Sequence, residues 1–127
     1  MTGKKSAYLR KKIIEHVLGI AGYTSPTNVY LALYTSDPTV ADTGVEVTGG
    51  SYARQQLSFG AESGGVIASS GNETFTDMPA CTVTHWGLRD ASSGGNLLYF
   101  GQFDIPLTFL AGDDPQILAA NIHFSEA

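Results

Sequence analysis

The sequence holds a single cysteine, Cys81, so no disulfide forms within one chain. Its neighbours mark it as a small apolar filler inside a sheet rather than a nucleophile. A lone thiol also fits a protein made in a cytoplasm. No apolar run approaches the ~20 residues of a membrane-crossing helix. The basic residues near the start are not followed by the apolar stretch and small-residue cleavage site of a signal peptide. Charge is scarce, at 15% of residues, where an average chain carries roughly 25%. That excludes a highly charged disordered chain. No repeat of fixed period and no interdomain linker is visible. What is there is 127 residues rich in Gly, Ser and Thr, the length of a single domain with one modest core and many turns.

The net charge of −5 hides an asymmetry. Residues 1–16 carry Lys4, Lys5, Arg10, Lys11 and Lys12 against Glu15 alone, a balance of +4. Residues 17–127 carry only Arg54 and Arg89 against eleven acids, a balance of −9. A basic arm on an acidic body either docks on an acidic surface, such as a neighbouring copy, or is simply solvated. Nucleic acid is disfavoured as a partner because the acidic body repels phosphates.

Residues 6–21 (SAYLRKKIIEHVLGIA) place Leu9, Ile13, Val17 and Ile20 at spacings of three and four, with Ile14 and Leu18 widening the stripe. That is the helical period. Ser6 suits the N-cap, and Gly19 and Gly22 stop the helix. The lysines sit at its start, where the macrodipole is already positive, so an acidic partner would relieve a local conflict.

After Gly22 the period becomes two. Residues 28–34 (NVYLALY) are apolar or aromatic on both faces, which predicts a strand buried on both sides or against a partner. Residues 35–50 form a long polar loop with a short β-like patch at Val45–Val47. Further strands are expected at 52–59, 66–69 and 73–76. The segments 82–88 and 97–103 make the best hairpin, around the Ala91–Asn96 turn. Residues 106–110 read as a separate strand or edge segment, and 116–124 as the closing strand. Regular short strands after one helix predict a mainly β fold, an antiparallel sandwich of jelly-roll type. Residues 1–22 form its basic arm and helix, and 23–127 its sandwich.

Chemistry is sparse. His16, His85 and His123 are far apart, and no CxxC, HxxxH or HExxH occurs. Cys81 and His85 share a strand face at ~13 Å, too far for joint ligation. No serine lies in a Gly-x-Ser-x-Gly context. The acids Asp37, Asp42, Glu46, Asp113 and Asp114 lack the spacing of a calcium loop. No cofactor is expected. The tyrosines and Trp86 suit either sheet filling and interfaces or a sugar-stacking surface.

The segments Tyr30–Thr39 (YLALYTSDPT), Glu46–Gln55 (EVTGGSYARQ), Phe59–Gly65 (FGAESGG) and Val83–Gly101 (VTHWGLRDASSGGNLLYFG) together resemble a widespread family of small tailed-phage virion proteins, usually labelled tail fibre proteins. The short helix that opens such proteins corresponds here to Glu15–Gly19 (EHVLG), and their strand end in Thr-Ser/Thr-Asp-Pro to Thr35–Pro38. The resemblance covers about residues 9–124 and brings no catalytic residues. It implies a non-enzymatic virion protein, made in the host cytoplasm, that decorates the capsid or belongs to a tail fibre or appendage. A glycan-binding adhesin using Trp86 and the loop tyrosines is the rival. The expected partners are further copies, as a dimer or trimer, and major capsid or tail proteins. No nucleic acid or membrane partner is expected. Interface contacts are assigned to Lys4, Lys5, Leu9, Lys11, Lys12, Ile13 and Val17 on the arm and helix. On the strands they are assigned to Tyr30, Tyr34, Tyr52, Arg54 and Trp86. Deleting residues 1–20 is expected to leave a folded β domain that no longer docks.

Overall fold

The hairpin around residues 91–96 is the spine of the molecule. In the computed structural model, which describes residues 3–117 and 123–125, its two strands run Cys81–Arg89 and Leu97–Phe109. In chain order the elements are β1 (Lys4–Lys5), α1 (Ala7–Val17), β2 (Val29–Tyr34), β3 (Gln55–Leu57), β4 (Val66–Ala68), β5 (Glu73–Thr74), β6 (Cys81–Arg89), β7 (Leu97–Phe109), β8 (Gln116–Ile117) and β9 (His123–Ser125). Five of them form one antiparallel sheet in the order β1-β7-β6-β2-β3. β4 pairs with β9 and β5 with β8 as two short ribbons.

The fold is thus mainly β and antiparallel with one short helix, as the sequence predicts. The main sheet is backed by ribbons and loops in the manner of a sandwich. Leu31, Leu33, Leu57, Trp86, Leu88 and Phe103 from the sheet meet Val47, Phe75, Met78 and Ile117 from the opposing loops and ribbons. Among the described residues the pairing stops short of the eight strands and two full sheets of a jelly roll. Residues 118–122 of the expected closing strand lie outside the described residues. The segments on either side of them pair with different ribbons.

Residues 97–109 are one strand rather than two. Pro106 is tolerated in it because β1 pairs with β7 only opposite Tyr99 and Phe100. Among the described residues β1 does not extend past that point, and Pro106 itself falls in a β6–β7 irregularity between the Val83–Leu107 and His85–Gln102 pairs, where a strand accepts proline. Gly101 is required by its neighbour: a Cβ there would lie 2.6 Å from the Trp86 ring.

The expected strand at 52–59 contracts to β3 because Tyr52 turns inward. Its hydroxyl accepts from the Leu33 N–H at 2.9 Å, taking the place of a ladder partner. Its ring stacks on Phe75, with centroids 5.9 Å apart. Val47 N–H donates to the Leu33 carbonyl at 3.0 Å, so residues 45–47 occupy the edge of β2 that β3 vacates.

The N-terminal segment is built into the body. Lys4 and Lys5 pair with Phe100 and Tyr99 as an edge strand. Ser6 is buried, its N–H donates to Leu98 O, and its hydroxyl bonds both Leu97 O and the Leu9 N–H. That last contact is the N-cap predicted from sequence. The helix ends at Val17. Gly19, with φ +75°, then lets Gly19 and Ile20 donate to His16 O and Glu15 O, the double bond of a Schellman motif. Leu9 is buried on the body. Deleting residues 1–20 would therefore strip an edge strand and a buried anchor, contrary to the expectation of an intact β domain. Point substitutions on exposed helix positions separate docking from folding more cleanly.

Candidate functional site

Two groups of charged residues frame the candidate surfaces: a pair of arginine braces at the loop end of the sheet, and the exposed side of α1. The loop after β2 is shaped by the Thr-Ser-Asp-Pro segment that carries the family resemblance. Thr35 N–H donates to Val45 O at 2.9 Å, and Val45 N–H donates to the Ser36 hydroxyl at 2.9 Å. Asp37 accepts from the Thr39 N–H at 2.9 Å, and Pro38 is fully buried. Gly44 packs so closely on Pro38 that a Cβ there would meet Pro38 Cα at 2.6 Å. The motif is thus architectural. It folds the loop so that Asp42 and Glu46 face the β6–β7 turn.

Each of those acids receives an arginine. Arg89 donates to both carboxylate oxygens of Asp42 at 2.8 Å, to the Tyr34 hydroxyl at 2.9 Å, and to the carbonyls of Gly94 and Gly95 at 3.2 and 3.0 Å. Arg54 donates to Glu46 at 2.9 and 2.8 Å and to the carbonyls of Ala91 and Gly94 at 2.9 and 2.8 Å. Tyr52 donates its hydroxyl proton to Glu46 at 2.7 Å. The two side chains are 9% and 8% exposed, so the ion pairs are largely screened from water. Burial alone would lower the Arg89 pKa, but the bonds to Asp42 and Tyr34 outweigh it and leave it raised. The Glu46 bond raises that of Arg54. Both guanidiniums are locked in their charged form. Fully satisfied bidentate pairs of this kind fix geometry and offer no reactive atom.

Tyr34 and Tyr52 are held neutral. Burial pushes both phenols above their ordinary value, against the opposing pull of Arg89 on the first and of the Leu33 N–H on the second. A folded pKa above the unfolded value of about 10 means stability that is fully present below about pH 10 and lost as pH rises beyond it. We expect denaturation midpoints to stay level approaching pH 10 and to fall above it. Absorbance of these two tyrosinates should emerge only together with unfolding. Ionisation of all six tyrosines in the folded protein would contradict this.

The structure distributes the sequence-predicted contact residues unevenly. Tyr34 and Trp86 are 1% and 0% exposed, so in this fold they serve the interior and face no partner. Arg54 is spent on Glu46, and Tyr52 lies between Phe75 and the loop. An aromatic sugar-stacking platform made from Trp86 and these tyrosines is therefore not presented. Tyr30 is half-buried on β2 and Leu9 is buried. Lys4, Lys11 and Val17 are exposed, while Lys5, Lys12 and Ile13 are half-buried. Lys11 pairs with Glu15 at 2.8 Å, which holds the Glu15 carboxyl below its usual range. Lys12 lies 5.7 Å from the centre of the Tyr8 ring. No acid stands in the first turn of α1, so within the described chain the charge conflict at the helix start persists.

Sequence reasoning missed the Arg89–Asp42 brace. Its signal was present: one of only two cations in a body of eleven acids finds a carboxylate inside the fold before it finds one outside. Ile14, Leu18 and Ile20, which the sequence places on or beside the same helical stripe, are uncovered as well. Their side chains are 58%, 70% and 72% exposed, beside Val17 at 72%.

Among the described residues, three depressions stand out on the surface. One of about 360 Å³ lies between Glu46–Gly49, Tyr52–Arg54 and Ser92–Ser93. A second, of about 260 Å³, is bordered by Lys4, Asp37, His85, Gln102 and Asp104. The third is an apolar groove of about 470 Å³ between α1 and the sheet end, lined by Leu9, Ile13, Tyr23, Phe59, Ile67 and Tyr99 among others. Among the described residues no three His, Cys, Asp or Glu side chains converge as a metal site. Burial pushes the Cys81 thiol up, away from the thiolate a nucleophile needs. No helix among the described residues is long and apolar enough to cross a membrane.

These features define a small antiparallel β protein whose ionic residues brace loops and whose helix leaves aliphatic side chains uncovered. Residues 4–125 match the family described as Podophage GP4 fiber I protein gp80, and the chain belongs to that family. It is a phage fibre structural protein, a component of the virion. No curated protein matches the chain.

Proposed function

We propose that this chain is a non-enzymatic, oligomeric module of a tail fibre or its base, held in the particle by protein contacts made through the exposed side of α1. The observation that carries this reading is the uncovered end of that helix. Ile14, Val17, Leu18 and Ile20 stand 58–72% exposed next to a basic flank. Contiguous aliphatic exposure of this kind is the mark of a protein contact surface. Capsid decoration is the alternative location. Family membership favours the fibre, because the family's description is that of a fibre protein.

The paired substitution Val17→Asp with Leu18→Asp tests it. Both positions are exposed, so the purified variant should unfold at the wild-type temperature. In phage grown with this variant as the sole copy, we expect incorporation into particles to fall about tenfold or more, with higher salt further weakening what remains. Incorporation at the wild-type level would defeat the reading. Immunogold labelling of wild-type particles then places the module: gold over the head would replace the fibre location by capsid decoration.

A further inference from the structure

The depression of about 260 Å³ beside Lys4 and Asp104 lies on the face of the main sheet away from the core. Register brings its residues together. Lys4 on β1 stands across from Phe100 on β7, and His85 on β6 across from Gln102. Cross-strand partners share a face, as do residues two apart, so these four point to one side of the sheet. Trp86 and Phe103 serve the core on the other. Two irregular segments complete the rim. Between the Val83–Leu107 and His85–Gln102 pairs, residues 103–106 stand against Thr84 alone, so β7 bulges there. Asp104 borders the depression from this bulge, and bulges commonly re-aim a side chain at a site. The turn after β2 supplies Asp37, whose carboxylate accepts from the Thr39 N–H at 2.9 Å.

Unspent hydrogen-bonding capacity sets this depression apart from the arginine braces. Arg54 and Arg89 are closed on Glu46 and Asp42. Lys4, Gln102 and Asp104 are exposed, and among the described residues no hydrogen bond or ion pair engages their side chains. Lys4 and Asp104 border one space without closing to the ~4 Å of an ion pair, which leaves room between donor and acceptor. Lys4 brings N–H donors, Gln102 both donors and an acceptor, and the two aspartates acceptors alone. Half-buried His85 meets the Thr84 hydroxyl through Nδ1 at 2.8 Å, leaving Nε2 as its other polar atom. The Phe100 ring adds apolar wall. Two carboxylates against one ammonium repel an anion, and the ammonium repels a simple cation. The matching ligand is neutral, with hydroxyls that donate to the aspartates while accepting from Lys4 and Gln102. A volume just under the ~300 Å³ at which small-molecule pockets begin admits one ring of that kind.

We propose that this depression binds one sugar ring, with Lys4 and Gln102 donating to its hydroxyls and Asp37 and Asp104 accepting from them. The site is separate from Trp86 and Tyr34, which the fold buries, and it does not depend on how α1 docks. A single ring on an open rim binds weakly, with a Kd of about 1–10 mM. Many copies in one particle would raise the effective affinity through multivalency.

Titration of the full-length, nitrogen-15-labelled chain followed by amide NMR tests the site. The probes are free glucose, galactose, mannose, rhamnose and N-acetylglucosamine, with glycerol and glycine as controls, each raised to about 100 mM, well above the Kd expected for one ring. At least one sugar should give saturable shifts at the Lys4, Gln102 and Asp104 amides. Gln102→Ala with Asp104→Ala should weaken its binding about tenfold or more. The melting temperature should not change, because both side chains are exposed and unbonded among the described residues. Phage carrying that double variant should incorporate it at the wild-type level. The proposal is overturned if no sugar gives saturable shifts at these amides, if glycerol or glycine matches the best sugar, or if the double variant binds as the wild type does. Loss of incorporation in the double variant would make the depression a protein contact and overturn the proposal as well.

Discussion

Replacing Trp86 by alanine is expected to cost about 3–5 kcal/mol, the range for removing a fully buried indole. Its side chain is 0% exposed and lies at the centre of the core, among residues of β2, β7 and the loops that back the sheet. Two features keep the site from collapsing onto the void. The facing position on β7 is Gly101, which offers no side chain to move inward. The backbone there is pinned on both sides, since β6 is ladder-bonded to both β2 and β7. A single domain is stable by roughly 5–15 kcal/mol, so this one change removes about a fifth or more of the total. For a domain of this size the melting temperature should drop by about 10–20 °C. Urea unfolding monitored by circular dichroism is the direct measurement. Trp86→Phe keeps most of the volume and should cost less than half as much. A loss below about 1 kcal/mol for the alanine variant would mean that the indole is not the keystone described here.

Arg89→Met is expected to cost about 2–3 kcal/mol, below the usual range for breaking a buried ion pair because Asp42 is 36% exposed and regains water. What is lost is more than one charge pair. The Tyr34 hydroxyl and the carbonyls of Gly94 and Gly95 lose donors at the same time, and groups left unpaired account for most of such a penalty. Asp42→Asn should cost less, because Arg89 keeps its other acceptors. The double variant separates these contributions. A double-mutant cycle should return a coupling of about 1 kcal/mol or more between Arg89 and Asp42. Additive single effects would show that the brace acts through the carbonyls and the Tyr34 hydroxyl rather than through Asp42. High salt should change these values little, since the guanidinium is screened from solvent.

Local signals in the sequence named the elements that are local. Ser6 and Gly19 bracket α1 by capping chemistry that acts over a few residues, and the hairpin follows from alternation and a glycine-rich turn. What was not legible depended on partners distant in sequence. Tyr34 looked available because β2 is apolar on both faces, a pattern common to an interior strand and to an interface. Arg89, 55 positions away, decides between them by bonding its hydroxyl. Trp86 was ambiguous for the same reason. β1 left no pattern at all, being two lysines long and formed only because the start of β7 offers an open edge. Of the candidate site, the exposed part of α1 was readable from its period and its lysines. The overhang that uncovers Val17 and Leu18 was not, since it follows from where the helix meets the sheet.

The braces also set which positions of the loop tip are free to differ. Arg54 and Arg89 hold the β6–β7 turn by the main-chain oxygens of Ala91, Gly94 and Gly95, and by no side chain of that turn. The identities of Ser92 and Ser93, both exposed, are invisible to the clasp. Gly94 and Gly95, at φ of 63° and 70°, are its fixed points. The tip is consequently a place where lineages can diversify, or an engineer can graft short peptides, without loosening the scaffold beneath.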